Sequence, residues 1–486
     1  MWSSFTYHEP STLQYLILIA FFSLLNIFGW VAQWLLSAGL LGQILIGVIF
    51  GEPLAGWLDQ SWMEAFISVG YVGLLLVVYE GGASASIEKL TALLPLSTCI
   101  ALTGLLAPIA LSFVLESLGY FEPVHAFAAG SSLCSTSLGT VLAVLSPASI
   151  GFNLRQTRLG TALLSAAIMD DVVAFILAKI LGVIGEGHGS IGANVGRTIG
   201  VTIVLAVIIA LLTKYALRPL YTRLRRDRRW RSAVWGGEGL LLLFITLLFV
   251  GSVAAAGYAG TSPLYGAYLA GLVTAYLSEN EQSTPISHND IPDAELYSSS
   301  PASGPALFRS STYPSTSHFT PPGSTSAVKI PHVVGSAPTL SSAFEHSVAP
   351  VLNLFLLPLF FGSIGYCIPF VPLWRGRVIW RGVIYALLML VAKLLCGIWV
   401  LIWPAKWAGG RKGWKGAVFL GLAMVARGEI GLLISQIAYH TSQPLFDEDE
   451  FLIVTWAIVI CTIIGPVGVG LSISRWGRRV LDGGWD

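Results

Sequence analysis

Two adjacent aspartates, Asp170 and Asp171, stand in the middle of the apolar run LLSAAIMDDVVAFIL. An ionisable group in hydrocarbon is costly, so a pair at one place is a candidate for chemistry. Neighbouring helical residues point about 100° apart, which lets the two carboxylates face different surroundings. One can pair with a basic partner while the other faces a cavity. Two carboxylates this close repel when both are ionised, and a bound proton or a bound cation relieves that repulsion. A site that accepts either species is what proton/cation exchange requires. The alternative is a pair of carboxyls that only join helices by hydrogen bonds.

Other polar residues sit equally deep. Lys393 occupies the centre of LLMLVAKLLCGIW, where an ammonium needs a carboxylate partner unless its stem snorkels to the interface. Arg427 and Glu429 flank Gly428 in FLGLAMVARGEIGLLIS, which reads either as a broken helix or as a local ion pair that fixes packing. The run AGSSLCSTSLGTVLAVL carries Ser131, Ser132, Ser135, Thr136, Ser137, Gly139 and Thr140. Hydroxyls that compete for backbone bonds, together with glycine, make it a poor continuous helix. Such a stretch can unwind beside a cavity and free carbonyls for a cation, or it can serve as a small-residue packing face. Glu80 in YEGG is either part of an entry funnel or a plain helix-end acid. Lys179 and Arg197 lie nearer span ends and are read as snorkelling.

The elements that must position these groups are membrane helices. Of the 486 residues 55% are hydrophobic and only 11% charged, against about a quarter charged in soluble proteins. The net charge of +1 argues against a nucleic-acid partner. Cys99, Cys134, Cys367, Cys396 and Cys461 show neither metal spacing nor a disulfide framework, and no cofactor is expected. The N-terminus lacks the basic region of a cleavable signal peptide. With roughly 20 apolar residues needed per span, thirteen segments qualify: 13–36, 38–50, 63–80, 92–117, 123–146, 158–184, 190–216, 237–257, 260–277, 347–368, 378–403, 414–438 and 451–472. The fold class is therefore an all-α membrane bundle of about thirteen transmembrane helices. Segments five and twelve run in opposite directions by parity, so triplets four to six and eleven to thirteen form inverted repeats whose broken helices cross at the midplane.

Basic residues test the orientation. With the N-terminus outside, 20 Lys and Arg fall in cytoplasmic segments, and only Arg375, Arg377 and Arg381 fall opposite. The acidic run from Asp447 to Glu450 then lies outside. The run Arg223 to Arg231 reads as a topology anchor that also attracts anionic lipid. Residues 281–340 hold 13 Ser, 6 Thr and 9 Pro in 60 positions, too little apolar surface to offset ordering entropy. The chain thus divides into a first membrane part, 1–277, a disordered cytoplasmic linker, 278–346, a second membrane part, 347–472, and a short cytoplasmic tail, 473–486.

These residues carry a resemblance. GQILIGVIFGEP at 42–53, LLLVVYEGG at 74–82, STSLGTVLAVL at 135–145, AAIMDDVVAFIL at 166–177, PLFFGSIG at 358–365, AKLLCG at 392–397 and ARGEIGLLIS at 426–435 occur in this order. Together they resemble the cation:proton antiporters, especially the second branch of that superfamily of sodium or potassium/proton exchangers. The resemblance implies a core domain moving against a dimerisation domain, and a homodimer. It implies that Asp171 holds the transported sodium or potassium ion, that Asp170 pairs with Lys393, and that Thr136 and Ser137 lie in the first broken helix and Arg427 and Glu429 in the second. The Ser/Pro linker departs from the pattern, and the soluble nucleotide-binding domain of some relatives is not expected here.

The expected activity is exchange of one monovalent cation for protons by alternating access, electrogenic if two protons move per cation, in the plasma membrane or a vacuolar or other endomembrane. A potassium efflux channel or carrier on the same fold is the alternative, distinguished by a lack of proton coupling. An intramembrane aspartyl protease brings its two acids together from separate helices, whereas these are neighbours in one. A receptor or scaffold needs no buried charges.

Overall fold

The computed structural model describes residues 9–36, 38–85, 93–119, 121–137, 154, 157–186, 191–226, 236–282, 339–403, 413–482 and 485. Its helices are α1 (Thr12–Leu36), α2 (Gly39–Phe50), α3 (Gln60–Ala83), α4 (Leu94–Ser117), α5 (Pro123–Ser132), α6 (Arg158–Gly185), α7 (Ile191–Leu212), α8 (Gly236–Ala259) and α9 (Pro263–Gln282). After the Ser/Pro-rich stretch come α10 (Leu340–Ser347), α11 (Ala349–Tyr366), α12 (Gly376–Ile402), α13 (Trp414–Val425), α14 (Glu429–His440) and α15 (Glu448–Trp476).

Among the described residues eight helices are long and apolar enough to cross a bilayer, and the bent pair α13–α14 brings the number to nine. Helices α2 and α5 are too short to cross alone, and α6 and α9 are mostly buried among their neighbours. Each expected segment meets a helix, although segment five does so only over Pro123–Ser132, and residues 138–153 lie outside the described residues.

The helices pack in two groups. In one, α1, α2, α3, α8, α9 and α11 pack against one another. In the other, α4, α5, α6, α12, α13, α14 and α15 do so. Helix α7 touches both groups, packing on α6 as well as on α8 and α9. Lipid tails are as apolar as the side chains, so close backbone approach at small residues replaces the hydrophobic effect. Accordingly Gly47 of α2 packs directly on the backbone of Gly362, and Gly82 of α3 on Tyr268 and Gly271. Large apolar side chains such as Leu16, Ile19, Trp30 and Trp34 of α1 are left exposed, as a lipid-facing surface requires.

Surface pairs check which loops share a face. Arg375 lies 3.1 Å from Asp449, Arg377 lies 3.3 Å from the same residue, and His125 lies 2.7 Å from Glu450. The segments predicted outside are thus together, and Lys415 meets Asp482 at 3.3 Å on segments predicted inside.

The expected linker, 278–346, is helical at both ends: α9 continues to Gln282 and α10 begins at Leu340. Thr339 forms a capping box with Ser342 at the start of α10, and Phe344 then stacks 5.0 Å from Tyr79 with 2% of its surface exposed. A capped start and one buried aromatic stabilise this turn of helix beside a composition that otherwise favours disorder. Residues 283–338 lie outside the described residues.

Candidate functional site

Two helices stop short in the middle of the second group. Helix α5 ends at Ser132, and residues 133–137 leave helical geometry. Helix α13 ends at Val425, residues 426–428 are extended, and α14 leaves at 43° to α13. The two unwound segments are joined where the Ser137 N–H donates to the Ala426 carbonyl at 2.9 Å. A side chain at Gly428 would sit 2.7 Å from Ser137 Oγ, so this close approach requires glycine. Helix α15 pins the second segment: Thr462 donates to the Arg427 carbonyl at 3.1 Å, and Gly465 lies directly under Ala426.

Unwinding leaves carbonyls without helical donors, and two buried cations take them up. Arg427 is completely buried, and its Nη1 donates to Ser135 O at 2.5 Å and to Met424 O at 3.4 Å. Lys393, also fully buried, donates to Cys134 O at 2.6 Å, Thr136 Oγ1 at 3.1 Å and Asp170 Oδ2 at 2.9 Å. Those three acceptors match the three N–H donors of an ammonium. Both cations thus stand at helix C-terminal ends, where the partial negative charge favours them. Glu429 opens α14, at the end that favours an acid. Among the described residues Arg427 has no carboxylate within ion-pair distance, so the local Arg427–Glu429 pair is not formed, and Nε and Nη2 have no partner.

The aspartates divide as adjacent helical positions should. Asp170 is 1% exposed, forms the ion pair with Lys393, and accepts from Thr136 Oγ1 at 2.9 Å. Its Oδ1 is buried without a partner. Asp171 is 4% exposed, and Ser135 Oγ, 3.2 Å from its Oδ1, is its one hydrogen-bond partner among the described residues. Glu429, Asp170 and Lys393 are the charged groups that act on it, and Tyr268 of α9 approaches it from the other helix group.

The expected residues therefore gather in one place, with two redistributions. Thr136 bonds Asp170 and Lys393 rather than Asp171, while Ser135 serves Asp171. Ser137 joins the segments through its backbone. Glu80 sits half-buried at the end of α3 beside Glu345 of α10, with no contact to the aspartates among the described residues. Arg197 is exposed and Lys179 half-buried. The backbone acceptors of Cys134 and Met424 escaped sequence reading, because any residue type carries a carbonyl.

A cavity of about 400 Å³ lies between the two helix groups. Ile67 and Tyr71 of α3, Phe360 and Ser363 of α11, and Leu433, Gln436 and His440 of α14 line it. It reaches the exposed His440 at one end and Leu433, one turn from Glu429, at the other.

The family described as the transmembrane sodium/hydrogen exchangers matches residues 17–294 and 333–473 of this chain, so the interruption falls inside the Ser/Pro-rich stretch. The chain is 23% identical over 428 residues to the Na(+)/H(+)-K(+) antiporter GerN of Bacillus cereus, covering 88% of this chain and 87% of that protein. It is 25% identical over 257 residues to the high-affinity Na(+)/H(+) antiporter NhaS3 of a Synechocystis strain, covering 52% of each. In structure it resembles the sodium proton antiporter MjNhaP1 of Methanocaldococcus jannaschii at pH 8, with a TM-score of 0.58, 14% identity, and 97% of this chain and 99% of that one covered.

Proposed function

Because the chain belongs to the transmembrane sodium/hydrogen exchanger family, we propose that the Asp170–Asp171–Lys393 centre is where a monovalent cation and protons exchange by alternating access. The protein is a multi-pass integral membrane protein that performs monovalent cation/proton antiport. Sodium and potassium are both candidate cargoes, in line with the names of its relatives.

One observation carries the assignment of the site. Of two adjacent buried carboxylates, Asp170 is held by a lysine and a threonine, while Asp171 has, among the described residues, only a serine hydroxyl. The uncommitted carboxylate is the one able to take up cargo. In this reading a partly dehydrated cation binds Asp171, with Ser135 Oγ turning a lone pair toward it. The orphaned Asp170 Oδ1 is a second oxygen within the same centre. Cation arrival adds positive charge beside the Lys393 ammonium, and loss of protons from Asp171 and from the Asp170–Lys393 pair offsets it. That coupling favours two protons per cation and electrogenic exchange.

Alternating access follows from where the centre stands. The broken helices and α6 belong to one helix group, and the cavity beside α14 has walls from both. Sliding of one group against the other closes that cavity and opens the opposite side. The full assembly is read as a homodimer with a non-cytoplasmic N-terminus and a cytoplasmic C-terminus, the orientation the basic residues favour. Residues 278–346, apart from their helical ends, act as a cytoplasmic linker between the two membrane parts.

The test is a proteoliposome assay with a pH-sensitive dye and pulses of sodium, lithium or potassium, with and without a voltage clamp. Asp171→Asn removes cation-driven proton flux; wild-type flux in that variant rejects the site.

A further inference from the structure

The cavity beside α14 contains a group that the exchange centre does not use. Gln436 lies seven residues after Glu429, a spacing that returns a helix to nearly the same face about 10 Å further along. Its side-chain oxygen is buried and has no hydrogen-bond partner among the described residues. A buried amide oxygen left unsatisfied costs on the order of 1–3 kcal/mol, and a ligand that draws on it offsets that cost.

Two further hydroxyl-bearing side chains line the same cavity. Ser363 of α11 donates its hydroxyl hydrogen to Phe360 O at 2.7 Å, and Thr441 donates to Gln443 O at 3.1 Å. Both hydroxyls keep lone pairs free for a ligand that needs acceptors. The remaining walls are mostly apolar, with Ile67, Phe360, Ile364, Leu433 and Ile437 beside Tyr71, Cys367 and His440, and among the described residues no carboxylate lines the cavity. Neutral oxygens in an apolar passage suit a hard cation that has shed part of its water. They bind weakly enough to let it leave, which a route requires and a trap does not.

We propose that the Gln436 amide, with the hydroxyls of Ser363 and Thr441, forms a neutral relay site for a partly dehydrated monovalent cation on its way between one membrane face and Asp171. The proposal rests on Asp171 being the exchange site. Ser363 belongs to one helix group and Gln436 and Thr441 to the other, so the relay exists only while the groups stand as they do here. It acts on cation delivered from the face that carries His440 and is silent toward cation delivered from the other.

Full-length protein in proteoliposomes tests this, with sodium or potassium supplied to one side at a time. Gln436→Leu raises the apparent KM about ten- to a hundredfold from the His440 side only, the effect of losing one contact to a charged group. The maximal rate at saturating cation stays within about twofold, a split that a general folding defect does not produce. Gln436→Glu lowers the KM from that side, and Gln436→Asn, which keeps a shorter amide, falls between wild type and the leucine variant. Should Asp171→Asn retain flux, the exchange-centre reading fails and the relay with it. If Asp171→Asn is inactive while Gln436→Leu keeps a wild-type KM from both sides, the relay alone is overturned and the cavity holds lipid or water without guiding cargo.

Discussion

Lys393 Nζ and Asp170 Oδ2 lie 2.9 Å apart with 0% and 1% of their side chains exposed. Among the described residues this is the one fully buried ion pair, and it stands where the two unwound segments cross. Removing one partner of such a pair strands the other charge, which costs about 3–5 kcal/mol. The pair therefore holds the core together as well as tuning exchange, and the two roles separate in different measurements.

Lys393→Ala lowers the thermal unfolding midpoint of the purified protein markedly and reduces or removes the voltage dependence of transport. The double variant Asp170→Asn/Lys393→Met, which leaves no stranded charge, recovers most of the lost stability. It does not recover electrogenic exchange. Equal midpoints for the single and double variants remove the pair from the stability argument, and an unaltered voltage dependence removes Lys393 from the coupling.

Gly104 of α4 gives a gentler perturbation. A methyl group there would sit 2.9 Å from Lys393 Nζ, 3.2 Å from Asp170 Oδ2 and 3.4 Å from Cys396 Sγ. The nearest atom is the tip of a flexible side chain, so Gly104→Ala folds but displaces the ammonium. Overpacking of this kind costs about 1–3 kcal/mol. The pH profile of exchange shifts in Gly104→Ala while expression and monodispersity stay near wild type. A profile superimposable on wild type means the ion pair tolerates the added methyl.

Much of this site was legible because charge in hydrocarbon is expensive. Asp170, Asp171, Lys393, Arg427 and Glu429 announced themselves by depth alone, and all five lie at the crossing. The fold was legible for a related reason, since a bilayer imposes one length on every span. The finer assignment of hydroxyls was not legible. Ser135, Thr136 and Ser137 are consecutive and chemically alike, and only the extended path of the chain decides which faces Asp171. Nor could composition reveal that Thr339 caps a helix at the end of a Ser/Pro-rich stretch.

Arg427 illustrates a geometry that charge alone does not supply. One guanidinium nitrogen spans Ser135 O on one broken helix and Met424 O on the other. Lysine carries the same charge on a shorter, flexible stem, so its ammonium falls short of the Nη1 position. Arg427→Lys therefore leaves a buried carbonyl unpaired, at about 1–3 kcal/mol. Both the unfolding midpoint and the exchange rate fall, whereas Arg223→Lys, on the exposed surface of the basic helix Arg218–Arg226, changes neither. A wild-type midpoint in Arg427→Lys rejects the clamp.

The hydroxyls of the first broken helix separate cargo binding from scaffolding. Ser135 Oγ lies 3.2 Å from Asp171 Oδ1, while Ser137 meets the other segment through its backbone N–H. Ser135→Ala removes a ligand from the proposed cargo site and leaves the crossing intact. Its apparent KM for sodium or potassium rises several-fold, with little change in unfolding midpoint. Protons and cation compete for Asp171, so in wild type the KM rises as pH falls, and the Ser135→Ala curve runs above it at every pH. In Ser137→Ala the backbone bond to Ala426 survives, and the KM stays near wild type. If instead Ser137→Ala alone weakens cation binding, the cargo is held by the second hydroxyl, and the segment turns further in the occupied state than it does here.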